Sequence, residues 1–278
     1  MKLAQWLKDV NLSKTLELTA FTLAEVLIVI GIIGIIAEMT IPTLVTNYQK
    51  QQTAIRLKQV YSTLSNAFNV AQSEYGSMDL WTIYKANDIV PNTSPQRNGS
   101  EYFAETYLMP YLRVQRNCLG KSSDDCAFYK KYLDGTGYGN YAGLNKARFF
   151  LQDGSIVAVE TFEGVYPGTV NPSLTGRAYK DCNITVDING NNKPNTFGRD
   201  IFRFDLALVP DVIVTKDEDN NNVINETPSG KILPLGAGLS RKDIMSGNSA
   251  SCNKKATGYY CAALIMYDGW EIKDDYPW

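Results

Sequence analysis

An almost uninterrupted apolar run near the N-terminus constrains the fold of this chain more than any other feature. Residues 21–45 read FTLAEVLIVIGIIGIIAEMTIPTLV and are rich in Ile and Val. As an α-helix, a run of about 25 residues is roughly 37 Å long, which is enough to span a bilayer. Because the run is also longer than an ordinary β-strand, we predict a transmembrane helix.

Two glutamates, Glu25 and Glu38, interrupt the apolar run. A carboxylate at the centre of a bilayer costs on the order of 2.5–3.5 kcal/mol, so such residues persist where a partner or an interface relieves that cost. Lys2, Lys8 and Lys14 precede the run, and the positive-inside rule therefore predicts a cytoplasmic N-terminus. Glu25 would then lie near the cytoplasmic end of the span, and Glu38 near the opposite interface.

The small residue that could mark a cleavage site, Ala20, precedes the apolar run, whereas in a secretory signal it would follow. The sequence Ala20-Phe21-Thr22-Leu23-Ala24-Glu25, with VLIVIGIIGIIA and Ile41-Pro42 after it, resembles the N-terminal signal of type IV prepilins and type II secretion pseudopilins. The resemblance covers residues 20–45. It implies that a prepilin peptidase cuts between Ala20 and Phe21 and methylates the new N-terminus of Phe21. The family usually has Gly before the cut, but Ala is the next smallest residue, so we expect cleavage to survive.

The same resemblance assigns Glu25 to filament assembly, where its carboxylate would pair with the N-terminal amine of Phe21 in a neighbouring subunit. An opposite charge within a few ångströms offsets the cost of a carboxylate in a low-dielectric environment. Such a pair would also set the register between subunits, because other staggers leave both charges unpaired. The alternative is that Glu25 lies at the lipid interface without a partner.

The helical pattern continues beyond the apolar run. Apolar residues recur every three or four positions from Ala54 to Tyr75, which predicts an amphipathic helix that ends at Gly76. Pro42 lacks an N–H and its ring crowds the carbonyl of Glu38, so we predict a helix kink there. The expected domains are a prepilin leader (1–20), a transmembrane and assembly half of the helix (21–45), an amphipathic half (46–76) and a β-rich globular head (77–278).

Strand patterns dominate the head. Ala147–Leu151 and Ile156–Val159 flank Asp153-Gly154 and predict a β-hairpin. We also predict strands over 183–188, 200–209 and 259–267, and a short helix over 101–112. The expected fold is α+β and pilin-like: a long N-terminal helix, membrane-spanning in its first half, packs against an antiparallel β-sheet head.

Composition excludes several classes of function. The chain has no histidine, which excludes Ser-His-Asp and Cys-His catalytic groups and the usual His-containing zinc sites. Any catalytic site would have to use carboxylates, Lys, Tyr or Ser alone, and we predict that the protein is not an enzyme. Its net charge is −2 and it has no basic block, so no nucleic-acid partner is predicted.

All five cysteines follow the apolar run. Their spacing favours two short-range disulfides formed in an oxidising compartment, Cys118–Cys126 and Cys252–Cys261. Cys182 is then either free and buried or a replacement for one of these partners. The alternative is a cytosolic protein with five unpaired core cysteines.

Two runs of Asp and Asn match the first three oxygen ligands of a calcium-binding loop. Neither run completes the motif, because Asn192 and Asn222 stand where Gly belongs, and Gly198 and Pro228 stand where a chelating Glu belongs. These runs are therefore interpreted either as a calcium site or as solvated Asx turns that bind no metal. No other cofactor is predicted. The candidate ligands are Asp187, Asn189 and Asn191 in the first run, and Asp217, Asp219 and Asn221 in the second.

The resemblance implies a structural subunit of a type IV pilus or a type II secretion pseudopilus, and it does not distinguish major pilin, minor pilin and pseudopilin. The implied partners are other subunits, prepilin peptidase, the inner-membrane assembly platform and membrane lipid. The implied location is the bacterial inner membrane and then a periplasmic or cell-surface filament. The alternative is an extracytoplasmic enzymatic or binding domain tethered by an uncleaved anchor.

Overall fold

The computed structural model describes residues 22–121, 126–141, 146–165, 178–207, 211–216, 222–227 and 230–278. The described residues divide into two units, one that ends at Tyr48 and one that runs from Gln49 to Trp278.

Helix α1 runs from Leu23 to Tyr75 and contains 53 residues. It ends at Gly76, whose φ of +78° suits a residue without a side chain and whose N–H donates to the carbonyl of Gln72 at 2.9 Å. This agrees with the predicted end of the helix. Pro42 does not end the helix, because α1 continues through it. The kink at this residue stays a prediction.

The first part of α1 is apolar and exposed. Its side chains between residues 23 and 45 are almost all exposed, and none of its most apolar 18-residue window is buried. By length and composition this helix could cross a membrane.

The second part of α1 is amphipathic, and its buried side chains are spaced by one, three or four residues. Tyr61 on the same face stacks on Phe204 with a ring-centroid distance of 6.0 Å. This stripe is the part of the helix that enters the main hydrophobic core. Its fully or almost fully buried members are Ala54, Leu57, Val60, Leu64, Ala67, Phe68 and Ala71.

The head is built on a six-stranded sheet in which every neighbouring pair is antiparallel, in the order β1-β4-β5-β6-β7-β10. Two short ribbons, β2–β3 and β8–β9, accompany it. The strands are β1 Val114–Asn117, β2 Tyr129–Lys130, β3 Gly139–Asn140, β4 Ala147–Leu151, β5 Ile156–Val165, β6 Ala178–Asp187, β7 Ile201–Ala207, β8 Asp211–Lys216, β9 Asn222–Thr227 and β10 Lys231–Pro234.

Period-2 alternation gives the sheet two different faces. One face carries Val157, Val159 and Ile184 into the core that contains the stripe of α1. The other face carries Ile156 and Ala158 into a second, smaller cluster with Phe128, Phe197 and Ile201. The sheet is therefore covered on both sides, and the loop between β6 and β7 contributes to the second cluster.

Three further helices complete the described head: α2 Gly99–Tyr107, α3 Arg241–Ser246 and α4 Cys261–Tyr267, with 3₁₀ turns at Met78–Leu80 and Met109–Tyr111. α2 begins with a capping box, in which Asn98 accepts from the Glu101 N–H and Glu101 accepts from the Asn98 N–H. The helix predicted over 101–112 is thus a shorter α-helix that begins earlier, followed by a 3₁₀ turn.

The structure confirms the α+β class, the long N-terminal helix and the β4–β5 hairpin. The strands predicted over 183–188 and 200–209 correspond to the second half of β6 and to β7, and residues 208 and 209 lie outside the described residues. The strand predicted over 259–267 is wrong, because this segment forms α4 with five of its seven residues buried. Its run of Ala, Leu and Met favours helix, and a short apolar run gives no periodicity that separates a buried strand from a buried helix.

Packing of the α1 stripe predicts which substitutions in this helix destabilise the head. Leu64 is 0% exposed in the main core, whereas Ile55 is 59% exposed. We expect Leu64→Ala to lower the free energy of unfolding by roughly 2–5 kcal/mol, because it removes buried methyl groups and leaves a cavity. Ile55→Ala is the control and should change it little. Urea unfolding of the detergent-solubilised full-length chain, followed by tryptophan fluorescence, measures both, and equal effects would contradict the packing.

Candidate functional site

The N-terminal end of α1 is organised by Thr22 and Glu25. Glu25 Oε2 accepts hydrogen bonds from the Thr22 N–H and the Thr22 hydroxyl, each at 2.8 Å, and the Thr22 Oγ1 accepts from the Glu25 N–H at 3.2 Å. This is a reciprocal capping box, which satisfies two of the backbone donors that a helix leaves unpaired at its start. The pattern T-x-x-E is present in the sequence, but the prepilin resemblance assigned Glu25 to assembly, and its capping role was missed.

The cap leaves part of the Glu25 carboxylate accessible. Both hydrogen bonds from Thr22 reach Oε2, and within the described chain no donor is bonded to Oε1. The side chain is exposed. The residues of the expected cleavage site, Ala20 and Phe21, lie outside the described residues.

Two glycines interrupt the exposed apolar surface of α1. A Cβ added to Gly31 or Gly34 would meet nothing within 4 Å in the described chain. Neither glycine is therefore required by a contact inside the head, and both leave room for another helix to approach.

A second candidate site lies in the loop that joins β6 to β7. Asp187 is the last residue of β6 and Asp200 directly precedes β7, and they are 0% and 2% exposed. Asp187 pairs with Ile201 across the sheet, which brings the two ends of the loop together. The Asp200 carboxylate accepts from the Thr196 N–H at 2.6 Å and from the Asn195 N–H at 2.7 Å, so it also fixes the loop backbone.

The environment of these two carboxylates is unfavourable to their charge. Burial, with a smaller contribution from Asp200, raises the pKa of Asp187 to about 9. Burial also raises the pKa of Asp200, although its hydrogen bonds act in the opposite direction. Among the ion pairs of the described residues, neither carboxylate is paired with Lys or Arg. The loop thus buries two acidic groups that no described basic side chain neutralises.

Two amide side chains also border these carboxylates, and the Asn189 amide nitrogen donates to Asp200 Oδ2 at 3.3 Å. The side-chain oxygen of Asn195 faces only acceptors: the Asp187 carboxylate at 3.3 Å and the carbonyl of Asn192 at 2.8 Å. The Asn189 Oδ1 is buried, and no described residue donates a hydrogen bond to it. Exchanging the O and N of the Asn195 amide would turn its two contacts into hydrogen bonds, but neither of them involves the Asn189 oxygen.

Neighbouring segments hold the loop in place. The Asn195 carbonyl accepts from the Lys131 N–H at 2.8 Å, and the Gly198 carbonyl accepts from the Tyr276 hydroxyl at 2.5 Å. Gly198 has a φ of +80°, and a Cβ there would lie 2.7 Å from the Sγ of Cys261. The loop therefore requires Gly at this position and packs directly on a cysteine of the C-terminal segment.

The structure separates the three members of the first predicted calcium-ligand run, Asp187, Asn189 and Asn191. Asp187 and Asn189 are in contact, because the Asn189 N–H donates to the Asp187 carboxylate. The Asn191 side chain contacts another segment, where its amide donates to the carbonyl of Ala127 at 2.8 Å. The members that sequence reasoning missed are Asn195 and Asp200, which face Asp187 because the strands pair. The second predicted ligand run, Asp217, Asp219 and Asn221, lies outside the described residues. No group of three or more His, Cys, Asp or Glu side chains suited to a metal occurs in the described part of the chain.

Both disulfides expected from the cysteine spacing are present. Cys118 and Cys126 have a Cα–Cα distance of 5.9 Å, and Cys252 and Cys261 have one of 4.7 Å. Cys182 is free and buried. The structure therefore contains neither of the two alternatives. Cys182 does not replace another cysteine in a disulfide, and the five cysteines are not all unpaired.

Fold and sites define an α+β protein with an N-terminal helix long and apolar enough to cross a membrane, a disulfide-containing head and an oxygen-lined loop. Residues 43–278 match the model of a family described as a family of unknown function (DUF6613), and the chain belongs to that family. The match begins near the end of the apolar run, so it covers the amphipathic part of α1 and the head. No curated protein and no solved structure matches the chain.

The cysteine arrangement predicts a specific count of reactive thiols. Burial raises the pKa of the Cys182 thiol well above its usual value, and the thiolate is the reactive form. We expect no thiol to react in the folded protein, one per chain after unfolding without reductant, and five after reduction. A colorimetric thiol assay on the full-length chain measures this, and Cys182→Ala is the control that removes the single thiol. More than one thiol in the unreduced, unfolded protein would contradict the two disulfides.

Proposed function

We propose that this protein is a structural subunit of a type IV pilus or type II secretion pseudopilus, cut between Ala20 and Phe21 and assembled through its N-terminal helix. The observation that carries the proposal is α1 itself. One continuous helix combines an apolar, exposed first part with a second part that is built into the core of the head. This division suits a subunit whose apolar segment is first embedded in a membrane. On assembly, the same segment would leave the lipid and pack against the helices of neighbouring subunits.

The exposed apolar surface supplies the driving force for both states. Side chains such as Ile28, Ile32 and Ile36 are more than half exposed, and each favours lipid or a neighbouring helix over water. In lipid, helices associate through close packing and small residues at their contacts. Gly31 and Gly34 lie in this surface with open space around them, which suits close approach by the helices of other subunits.

Glu25 can cap its own helix and also bind a neighbour. An ionised carboxylate has about four acceptor positions, and Thr22 uses only Oε2. Oε1 is thus available to the N-terminal ammonium that cleavage would create on Phe21 of another subunit. Since the positive end of the helix dipole lies at the same place and favours a negative charge, the cap would hold this carboxylate in position for that partner.

One observation favours the alternative of a tethered extracytoplasmic domain with an uncleaved anchor. The capping box gives Glu25 a local role that requires no neighbouring subunit. The two functions therefore differ in whether the charge of Glu25 matters beyond its ability to accept hydrogen bonds.

Processing at Ala20–Phe21 is the first test. The full-length chain is produced with a prepilin peptidase, and the mature N-terminus is determined by mass spectrometry. We expect N-methylated Phe21 as the first residue. Ala20→Gly should be processed at least as well, whereas Ala20→Glu should block cleavage because the small side chain is lost. An N-terminus at Met1 in the unsubstituted chain would favour the tethered-domain alternative.

A matched set of variants separates the assembly role of Glu25 from its capping role. Glu25→Gln keeps a hydrogen-bond acceptor but removes the charge, whereas Thr22→Val removes the capping hydroxyl and keeps the charge. If the charge pairs with a neighbour, Glu25→Gln should abolish filaments and Thr22→Val should retain them. The readout is the subunit in a sheared filament fraction, normalised to its amount in the membrane. Normal assembly of Glu25→Gln would contradict the proposed pair.

A further inference from the structure

We propose that the loop between β6 and β7 is a calcium site, in which Asp187, Asn189, Asn195, Asp200 and the carbonyl of Asn192 provide the ligand oxygens. This inference concerns the head alone and does not rest on the proposed filament function.

The first argument is that two acidic groups are buried without a basic partner among the described residues. Asp187 and Asp200 are buried at the two ends of the loop, and no ion pair of the described residues reaches them. Burial of carboxylates is costly unless they are paired or coordinate a metal. A divalent cation between them would supply the missing positive charge.

The second argument is the orientation of the amides. Asn195 is only 7% exposed, and its side-chain oxygen points at a carboxylate oxygen and a carbonyl oxygen instead of a donor. Three oxygens facing one another is an arrangement that a bound cation stabilises. Turning the Asn195 amide would remove this repulsion, but it would leave the buried Asn189 Oδ1 without a donor among the described residues. A cation accounts for both amides at once.

The third argument is the chemistry of the ligand set. Every candidate ligand is a carboxylate, amide or carbonyl oxygen, and these are the ligands that calcium prefers. The soft sulfur and nitrogen ligands typical of zinc do not contribute to this set. Magnesium usually keeps several of its waters, whereas this loop offers protein oxygens on buried side chains, which favours calcium.

The surroundings explain what the ion would do. The loop packs on Cys261 through Gly198 and receives a hydrogen bond from Tyr276. It also pairs with the segment around Lys131 through two backbone hydrogen bonds, at 2.8 and 2.9 Å. Calcium would therefore join the end of the sheet to two other segments of the head and stabilise the folded state by binding only to it.

Calcium titration of the detergent-solubilised full-length protein, after treatment with a chelator, tests the site. Isothermal calorimetry should give one calcium ion per chain, and thermal unfolding should move to higher temperature with calcium. The same concentration of magnesium should have a much smaller effect. Absence of both heat and thermal shift in a folded protein would overturn the proposal, as would an equal response to magnesium.

Variants locate the ion. Asp187→Asn should abolish binding, whereas the same change at Asp153, an exposed turn carboxylate that accepts hydrogen bonds from Ser155, is the control and should leave it unchanged. Because Asp187 is buried, its variant could fail to fold, so Asn189→Ala provides a second test. That change removes a side-chain oxygen to which no described residue donates, together with the amide donor to Asp200, and it should weaken calcium binding by about tenfold or more while the chain stays folded. Unchanged affinity in Asn189→Ala would overturn the ligand assignment.

Asn195→Asp distinguishes a ligand from a hydrogen-bond donor. If Asn195 binds calcium through its oxygen, a carboxylate there keeps or strengthens binding and enlarges the calcium-dependent thermal shift. If its amide donates to Asp187 instead, a third acidic group repels Asp187 and no calcium-dependent gain follows. The second result would overturn the proposal.

Discussion

Burial of one stripe of α1 against the antiparallel sheet is the interaction on which the rest of this structure depends. The helix contributes Leu57, Leu64 and Phe68 to a core whose other side is the alternating apolar face of β4 to β7. The apolar stripe of the helix and the apolar face of the sheet must each be buried against another element, and here they bury one another. Because the buried stripe begins only at Ala54, the preceding apolar residues of α1 are left exposed. By length and composition, this exposed apolar segment could cross a membrane.

The second face of the sheet has a different role. It buries a smaller apolar cluster together with the loop that joins β6 to β7, and this loop is held by backbone pairing, by Tyr276 and by close contact of Gly198 with Cys261. These contacts keep Asp187 and Asp200 out of water. The resulting concentration of oxygen atoms is a property of the assembled head, since its members come from both strands and from the turn between them.

Local patterns predicted local structure well. The C-terminal end of α1, the β4–β5 hairpin and the two short-range disulfides followed from periodicity, from Asp153-Gly154 and from cysteine spacing. The prediction for the α4 segment was wrong because burial on all sides erases the periodicity that separates strand from helix. The role of Thr22 as a cap was missed although T-x-x-E was present, because the family resemblance offered another explanation for Glu25. Asn195 and Asp200 were missed because a linear calcium-loop motif does not include residues brought together by strand pairing.

The sequence alone determined that a long apolar helix precedes a polar head, because hydrophobic length and residue spacing are properties of the chain read in order. It also placed Glu25 one turn from the expected new N-terminus, since helical geometry follows directly from spacing. Only the tertiary structure decided which part of α1 is buried, which amide oxygens face Asp187 and which cysteine supports their loop. Those choices depend on contacts between residues far apart in the chain, and such contacts exist only after the sheet has formed and packed.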